Sequence, residues 1–358
     1  MTESQDGRPQ VSAAFADHDH VRDLVRGRVQ VEGVRMRCEQ LDRPEAIFEG
    51  FLRGRQWDVC ELSLAAYVAL RSSGDRSLTA IPAFPARAFR HSAIYVRGGL
   101  SDPRALAGRR VGIPVWAQTA GVWVRGMLAD EHGIALGDVE WHQAGLDSPG
   151  RREPAPVSLA PGVSVRRWQD RTLDDMLRRG ELDAVISARP PRCYLERSGV
   201  VTRLWPDSER VEREYLARTR LFPIMHVTVI RSELHERHPW IAPRLLDALQ
   251  RSKIQALARL LEAPVPTIPL PWAQQVAERT IALMGEDPWP YGVGPNRNEL
   301  ETFLRYAREQ GLCPVPLSVE QLFCADAPLR VDAPLRVDTS RRATTPATPA
   351  RPGAEVAG

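Results

Sequence analysis

Two guanidiniums and an imidazole crowd the stretch ARAFRHSAIYV, residues 86 to 96: Arg87, Arg90 and His91 fall within five residues, cushioned by Phe84 and Phe89. A planar guanidinium meets a carboxylate through two parallel hydrogen bonds, so this grouping suits an anion. Arg125, Arg152 and Arg189 offer the same fork elsewhere, and each of these arginines reads equally well as an ordinary surface ion pair. His91 and His226 are candidates for proton transfer, since an unperturbed imidazole titrates near neutral pH, although a lone histidine on a strand often serves structure instead.

Four further groups could take part. Glu61 ends the apolar run WDVCEL just before a helix at Ser63. It could accept a proton, orient an imidazole, or simply face a helix dipole. Ser63 and Thr119 each precede a helix, as caps or as places where helix amides hold an anion. In Asp17-His18-Asp19-His20 a strand would put both imidazoles on one face, as two metal ligands require. No second cluster has ligand spacing, so no cofactor is assigned and a divalent metal is left open. Trp289 and Tyr291, in WPYG, could wall an aromatic ring or sit in the core.

The elements that must carry these groups alternate between short apolar strands and helical patterns, the signature of an α/β protein. VEGVRMRCEQL reads as a strand, RPEAIFEGFLRGR as a helix from Pro44, and WDVCEL as the next strand. A helix runs from Ser63 to a stop at Gly74, followed by LTAIPAFPAR and HSAIYVR as strands. DPRALAGRRVGIPV gives a short helix and a strand, and TAGVWVRGMLADEHG a helix stopped by Gly133. TLDDMLRRGELDAVISAR is a capped helix and strand, MHVTVIR a strand, and the C-terminal third is mainly helical. GLDSPGRREPAPVSLAPGV is too rich in proline and glycine for regular structure, yet carries Arg151, Arg152 and Glu153. It reads as a solvent excursion or as part of a ligand pocket.

Composition narrows the function. The 358 residues are 43% hydrophobic and 26% charged, as in a globular protein of two domains. A formal charge of +3 argues against a nucleic-acid partner. Lys253 is the only lysine, so arginine supplies almost every cation. Five scattered cysteines without a C-x-x-C pair suggest reduced thiols in a cytoplasmic protein. The N-terminus lacks a signal-peptide pattern and no window is apolar enough to span a membrane, so no membrane partner is expected. A homo-oligomer is left open.

The strand and helix order resembles the type II periplasmic-binding-protein fold, an α/β architecture of two lobes joined by two hinge crossings with the ligand cleft between them. DPRALAGRRVGIPVWAQTAGVWVRGMLADEHGI and TLDDMLRRGELDAVIS carry that likeness. Within the superfamily the chain resembles the 4,5-dihydroxyphthalate decarboxylase family. The strings behind this are GFLRGRQWDVCELSLAAYVALRSSGD, AIPAFPARAFRHSAIYVR, GLDSPGRRE, LFPIMHVTVIR, DPWPYGVGPNRNELETFLRYAREQGL and VEQLF, spanning roughly residues 14 to 324. His18 stands where the family tends to have a tyrosine.

Composition reads residues 1–10 as a polar leader and 326–358 as a disordered tail; the resemblance implies lobe I at 11–97, lobe II at 98–222, and a return to lobe I with C-terminal helices at 223–325. It implies decarboxylation of a hydroxylated aromatic carboxylate. Arg87, Arg90, Arg125, Arg152 and Arg189 would hold the carboxylates. Ser63, Thr119, His18, Trp289 and Tyr291 would line the site, while His91, His226 and Glu61 would move the proton. The alternative is a non-catalytic cytoplasmic binding protein or sensor for a small carboxylate, or a biosynthetic enzyme reusing the cleft for another aromatic acid.

Overall fold

The computed structural model describes residues 7–324, so the tail expected from residue 326 lies outside the described residues. The first strand, β1 (Gln10–Ala16), begins inside the expected leader and is followed by a short helix, α1 (Arg22–Val25). Next come β2 (Arg35–Leu41), α2 (Pro44–Gly54), β3 (Val59–Ser63), α3 (Leu64–Ser72) and β4 (Leu78–Arg87). The second series is β5 (Ile94–Arg97), β6 (Arg110–Ile113), α4 (Thr119–His132), β7 (Glu140–Gly145), β8 (Val165–Thr172), α5 (Leu173–Arg179), β9 (Ala184–Ile186), α6 (Arg192–Leu195) and β10 (Val201–Arg203). After α7 (Ser208–Thr219), the chain runs through β11 (Ile224–Arg231), α8 (Ser232–Arg237), α9 (Ile241–Glu262), α10 (Ala273–Met284) and α11 (Arg297–Glu309).

The strands form two sheets, ordered β2-β1-β3-β11-β4 and β10-β5-β9-β6-β7-β8. β2, β1 and β3 are parallel, and β11 runs antiparallel between β3 and β4. In the second sheet β9, β6, β7 and β8 are parallel, with β5 and β10 antiparallel at one edge. The central strand β3 is buried at every residue, whereas β2 alternates exposed Arg35, Arg37 and Glu39 with half-buried positions. That contrast follows position: central strands of mixed sheets are covered on both faces, and a charged edge strand resists pairing with another chain.

The chain crosses between the sheets after β4 and returns at β11. The expected strand HSAIYVR is interrupted, because His91–Ala93 is a 3-10 turn and only Ile94–Arg97 pairs as β5. α2 begins at Pro44, whose fixed φ suits a first helical position, and α4 stops at Gly133 in the left-handed conformation. Residues 258–288, the end of α9 together with α10, form a separate compact unit in which Gln274 Nε2 donates to the Leu261 carbonyl at 2.9 Å. No helix among the described residues is long and apolar enough to cross a membrane.

Candidate active site

Parallel β1 and β3 end at the same edge of the first sheet, and β11 starts there in the opposite direction. Pairing sets Thr228 opposite Glu61 and His226 opposite Ser63. Residues directly opposite share a face, and so do residues two apart. Glu61, Ser63, His226 and Thr228 therefore project to one side, with Glu61 and His226 as diagonal neighbours. His18 lies two residues beyond β1 and reaches the same carboxylate.

Glu61 is fully buried, and every partner it meets is a donor or an imidazole. Its Oε2 accepts the Ala16 amide at 2.8 Å. His18 Nε2 lies 3.2 Å and 3.1 Å from its two oxygens, and His226 Nδ1 lies 2.7 Å from Oε1. Burial on its own raises the carboxyl pKa. The hydrogen bonds and charges of His18 and His226 outweigh that effect and hold it well below the usual carboxylate range. Glu61 is thus an anion in a dry place, held between two histidines.

The surroundings fix both rings. The Phe48 ring meets His226 edge-on at 4.9 Å. His20 stacks on His18 at 5.4 Å, and Trp289 lies behind His20 at 5.2 Å. Burial, followed by the charge of His18, pushes His20 down to about 3, so it stays neutral near pH 7. Trp289 is itself anchored: its Nε1 donates to the Phe84 carbonyl at 2.8 Å, and its own carbonyl accepts the Lys253 ammonium at 2.7 Å. Tyr291 is a core residue with that ammonium 4.6 Å from its ring centre. The side chains on Asp17-His18-Asp19-His20 do not act as a strand pair, because β1 ends at Ala16 and residues 19–21 form a 3-10 turn. The two imidazoles stack instead.

One ligand atom each from His18, Glu61 and His226 lie within 4.8 Å of one another. Two imidazoles and a carboxylate are a donor set that binds divalent first-row metals. The same atoms therefore serve as a hydrogen-bonded acid–base group or as three ligands to one cation.

Other expected residues are placed differently. Arg87 is enclosed, with Nη2 2.9 Å from Glu299 and Nη1 2.7 Å from Asn296 Oδ1. Nε and Nη2 also donate to the Phe222 carbonyl. It ties β4 to the C-terminal segment and is not available to hold a substrate carboxylate. Arg125 is buried against the Trp116 ring, donating to Gln310 Oε1 at 2.8 Å and the Trp116 carbonyl at 2.7 Å. Burial pushes it down to about 9, and it too is a core residue. Arg90 packs its Nε 3.1 Å from Met225 Sδ, with burial lowering it to about 10.

His91 packs against Trp205 and Tyr215 at ring distances of 5.4 Å and 5.0 Å. No hydrogen bond or ring contact joins it to Glu61 among the described residues, so the structure separates the two expected proton carriers, His91 and His226. Arg152 is exposed, and Arg189 stands 4.0 Å from Asp147. Thr119 is not an N-cap, since Gln118 holds that place. Its hydroxyl instead meets Ser63 Oγ at 2.9 Å and accepts the Ala65 amide at 3.1 Å, joining α4 to the start of α3.

No protein-family model matches the chain. It is 37% identical over 317 residues to the 4,5-dihydroxyphthalate decarboxylase of Comamonas testosteroni, covering 88% of this chain and 96% of that protein. The 4,5-dihydroxyphthalate decarboxylase of Pseudomonas putida is 39% identical over 202 residues, 56% of this chain and 78% of that one. Among solved structures, the periplasmic aliphatic sulphonate-binding protein SsuA of Escherichia coli matches with a TM-score of 0.50 at 12% identity, over 88% of this chain and 97% of that one. A sulfonate-binding protein of Methylobacillus flagellatus matches at 0.51, also at 12% identity, over 88% and 92%. These two establish the fold. The sequence relatives make the chain a member of the 4,5-dihydroxyphthalate decarboxylase family, a carboxy-lyase on a periplasmic-binding-protein-like fold.

Proposed function

We propose that this chain decarboxylates a hydroxylated aromatic dicarboxylate of the 4,5-dihydroxyphthalate type, with Glu61, His18 and His226 as the proton-handling group. The buried carboxylate held between two imidazoles carries the reading. An anion there stabilises an imidazolium, and an imidazole exchanges protons at neutral pH.

The chemistry follows from the ring. A hydroxyl para to the leaving carboxylate gives up its proton to one imidazole, and the phenolate pushes electron density to the carboxylate-bearing carbon. An imidazolium protonates that carbon, giving a dienone. The carbon–carboxylate bond then breaks, CO2 leaves, and its electron pair restores the aromatic ring as a phenolate. That oxygen recovers the first proton, so the net change is one proton taken up and one CO2 released. Glu61 keeps both rings oriented and stabilises whichever is charged. Phe48 packs against His226, and His20, with Trp289 behind it, stacks on His18.

A second reading uses the same three atoms as ligands to a divalent cation, which would draw the catechol oxygens into its coordination sphere. Incubation with 4,5-dihydroxyphthalate, with and without a chelator, separates the two by following CO2 and 3,4-dihydroxybenzoate. Turnover that survives exhaustive chelation supports the hydrogen-bonded group. Turnover lost to the chelator and restored by added metal supports the cation. Absence of turnover with any metal refutes the proposal.

A further inference from the structure

Arg87 and Arg125 are tied up in the core and Arg90 packs on Met225, so the anion needs another receiver. Arg151 fits on three counts. It is more than half hidden, yet it makes no hydrogen bond or ion pair among the described residues. None of its guanidinium nitrogens is sealed from solvent, so the charge stays open to an incoming anion. The charged groups around it are Glu45 and Arg43 at the start of α2, Arg189 after β9, and Glu153 on its own loop. Burial lowers its pKa, against the opposing charge of Glu45 and with the help of Arg189 and Arg43.

The loop that presents it is fixed at both ends. A Cβ at Gly145 would overlap the Ser148 carbonyl oxygen, so only glycine lets the turn close. At the far end Glu153 accepts the Trp116 and Ala117 amides at 2.6 Å and 3.0 Å, which commits that carboxylate to the backbone. Asp147, on the same loop, stands 4.0 Å from both Arg189 and Arg192. Arg43, Arg151 and Arg189 thus outnumber the two acids near them that are not so committed, Glu45 and Asp147.

Helix α2 connects this group to the acid–base site. Glu45 and Phe48 are three residues apart, so they share a face and lie about 4.5 Å apart along the axis. Phe48 touches His226, while Glu45 lies by Arg151. A benzene ring with para substituents spans a comparable distance.

We propose that Arg151, flanked by Arg43 and Arg189, receives a carboxylate of the aromatic substrate while the ring lies along Phe48 toward His226. This deepens the decarboxylase reading and rests on it for the direction of the ring.

The test is calorimetric binding of phthalate, which has both carboxylates and no hydroxyl to react, with catechol as the carboxylate-free control. Arg151→Gln should bind phthalate about 10- to 100-fold more weakly than wild type, as for loss of a charge-assisted pair, and bind catechol unchanged. Arg151→Lys should fall between them, and Arg189→Gln should show a smaller loss. Circular dichroism checks that the variants fold. Equal phthalate binding by wild type and Arg151→Gln, a parallel loss of catechol binding, or no phthalate binding by wild type would each overturn the proposal. Arg151-dependent phthalate binding in a protein that does not turn over 4,5-dihydroxyphthalate would keep the anion site and refute the decarboxylase reading instead.

Discussion

Glu61→Gln is the most informative single change, because it keeps the shape of the side chain and removes its charge. The carboxylate meets three donors: the Ala16 amide, His18 Nε2 and His226 Nδ1. A primary amide has one accepting oxygen and one donating NH2, so it cannot satisfy all three, and any imidazole it does satisfy loses the charge assistance. Hydrogen bonds to charged groups contribute about 1.5–3 kcal/mol, against about 1 kcal/mol for neutral ones. Two such bonds therefore lose about 1–4 kcal/mol of stabilisation for a protonated imidazole, which is roughly a 5- to 1,000-fold fall in kcat. Stability should change far less, because removing a buried charge also removes its desolvation penalty. The assay is initial-rate decarboxylation alongside a melting curve. A folded Glu61→Gln protein with kcat within threefold of wild type would refute the acid–base role of this carboxylate.

Three other outcomes follow from the placement of residues outside that group. Arg87→Met should destabilise the protein by about 3–5 kcal/mol by stranding Glu299, yet leave KM for the dicarboxylate nearly unchanged in the folded fraction; denaturant unfolding and kinetics measure the two separately. His91→Phe should retain turnover and flatten the acid limb of stability. Burial, then the charges of His132 and Arg218, lower the folded pKa of His91 to about 4. The unfolded chain takes up this proton below about pH 6.5 while the native state resists until about 4, so stability is full above the first value and falls toward the second, by at most ~3 kcal/mol. Equal melting temperatures for wild type and variant at every pH would contradict this. Gly126→Ala should cost about 1–3 kcal/mol or more, read as a lower melting temperature, because a Cβ there would overlap the Tyr306 ring where α4 meets α11.

Much of the frame was legible because it is local. The apolar run WDVCEL, the proline opening α2 and the glycine closing α4 each act within a few residues. Glu61 stood out because a carboxylate ending an apolar strand is conspicuous. Its partners were not, since His18 and His226 lie 43 and 165 residues away and meet it only through the pairing of β1, β3 and β11. The cluster Arg87, Arg90 and His91 misled for the opposite reason. The three are neighbours in sequence, but β4 ends at Arg87 and the turn that follows separates them. Arg87 then finds Glu299, 212 residues on, and His91 finds two aromatic rings. Arg151 was visible as a charge in an irregular loop, but its lack of a partner is a three-dimensional property.

The central claim is most directly tested by running the reaction on 4,5-dihydroxyphthalate in deuterium oxide and examining the product by proton NMR. The account predicts enzyme-dependent 3,4-dihydroxybenzoate carrying one deuterium at the vacated ring carbon, with Glu61→Gln forming it far more slowly. Absence of this product, or a product bearing hydrogen rather than deuterium at that carbon, would contradict ring protonation and CO2 loss at this site.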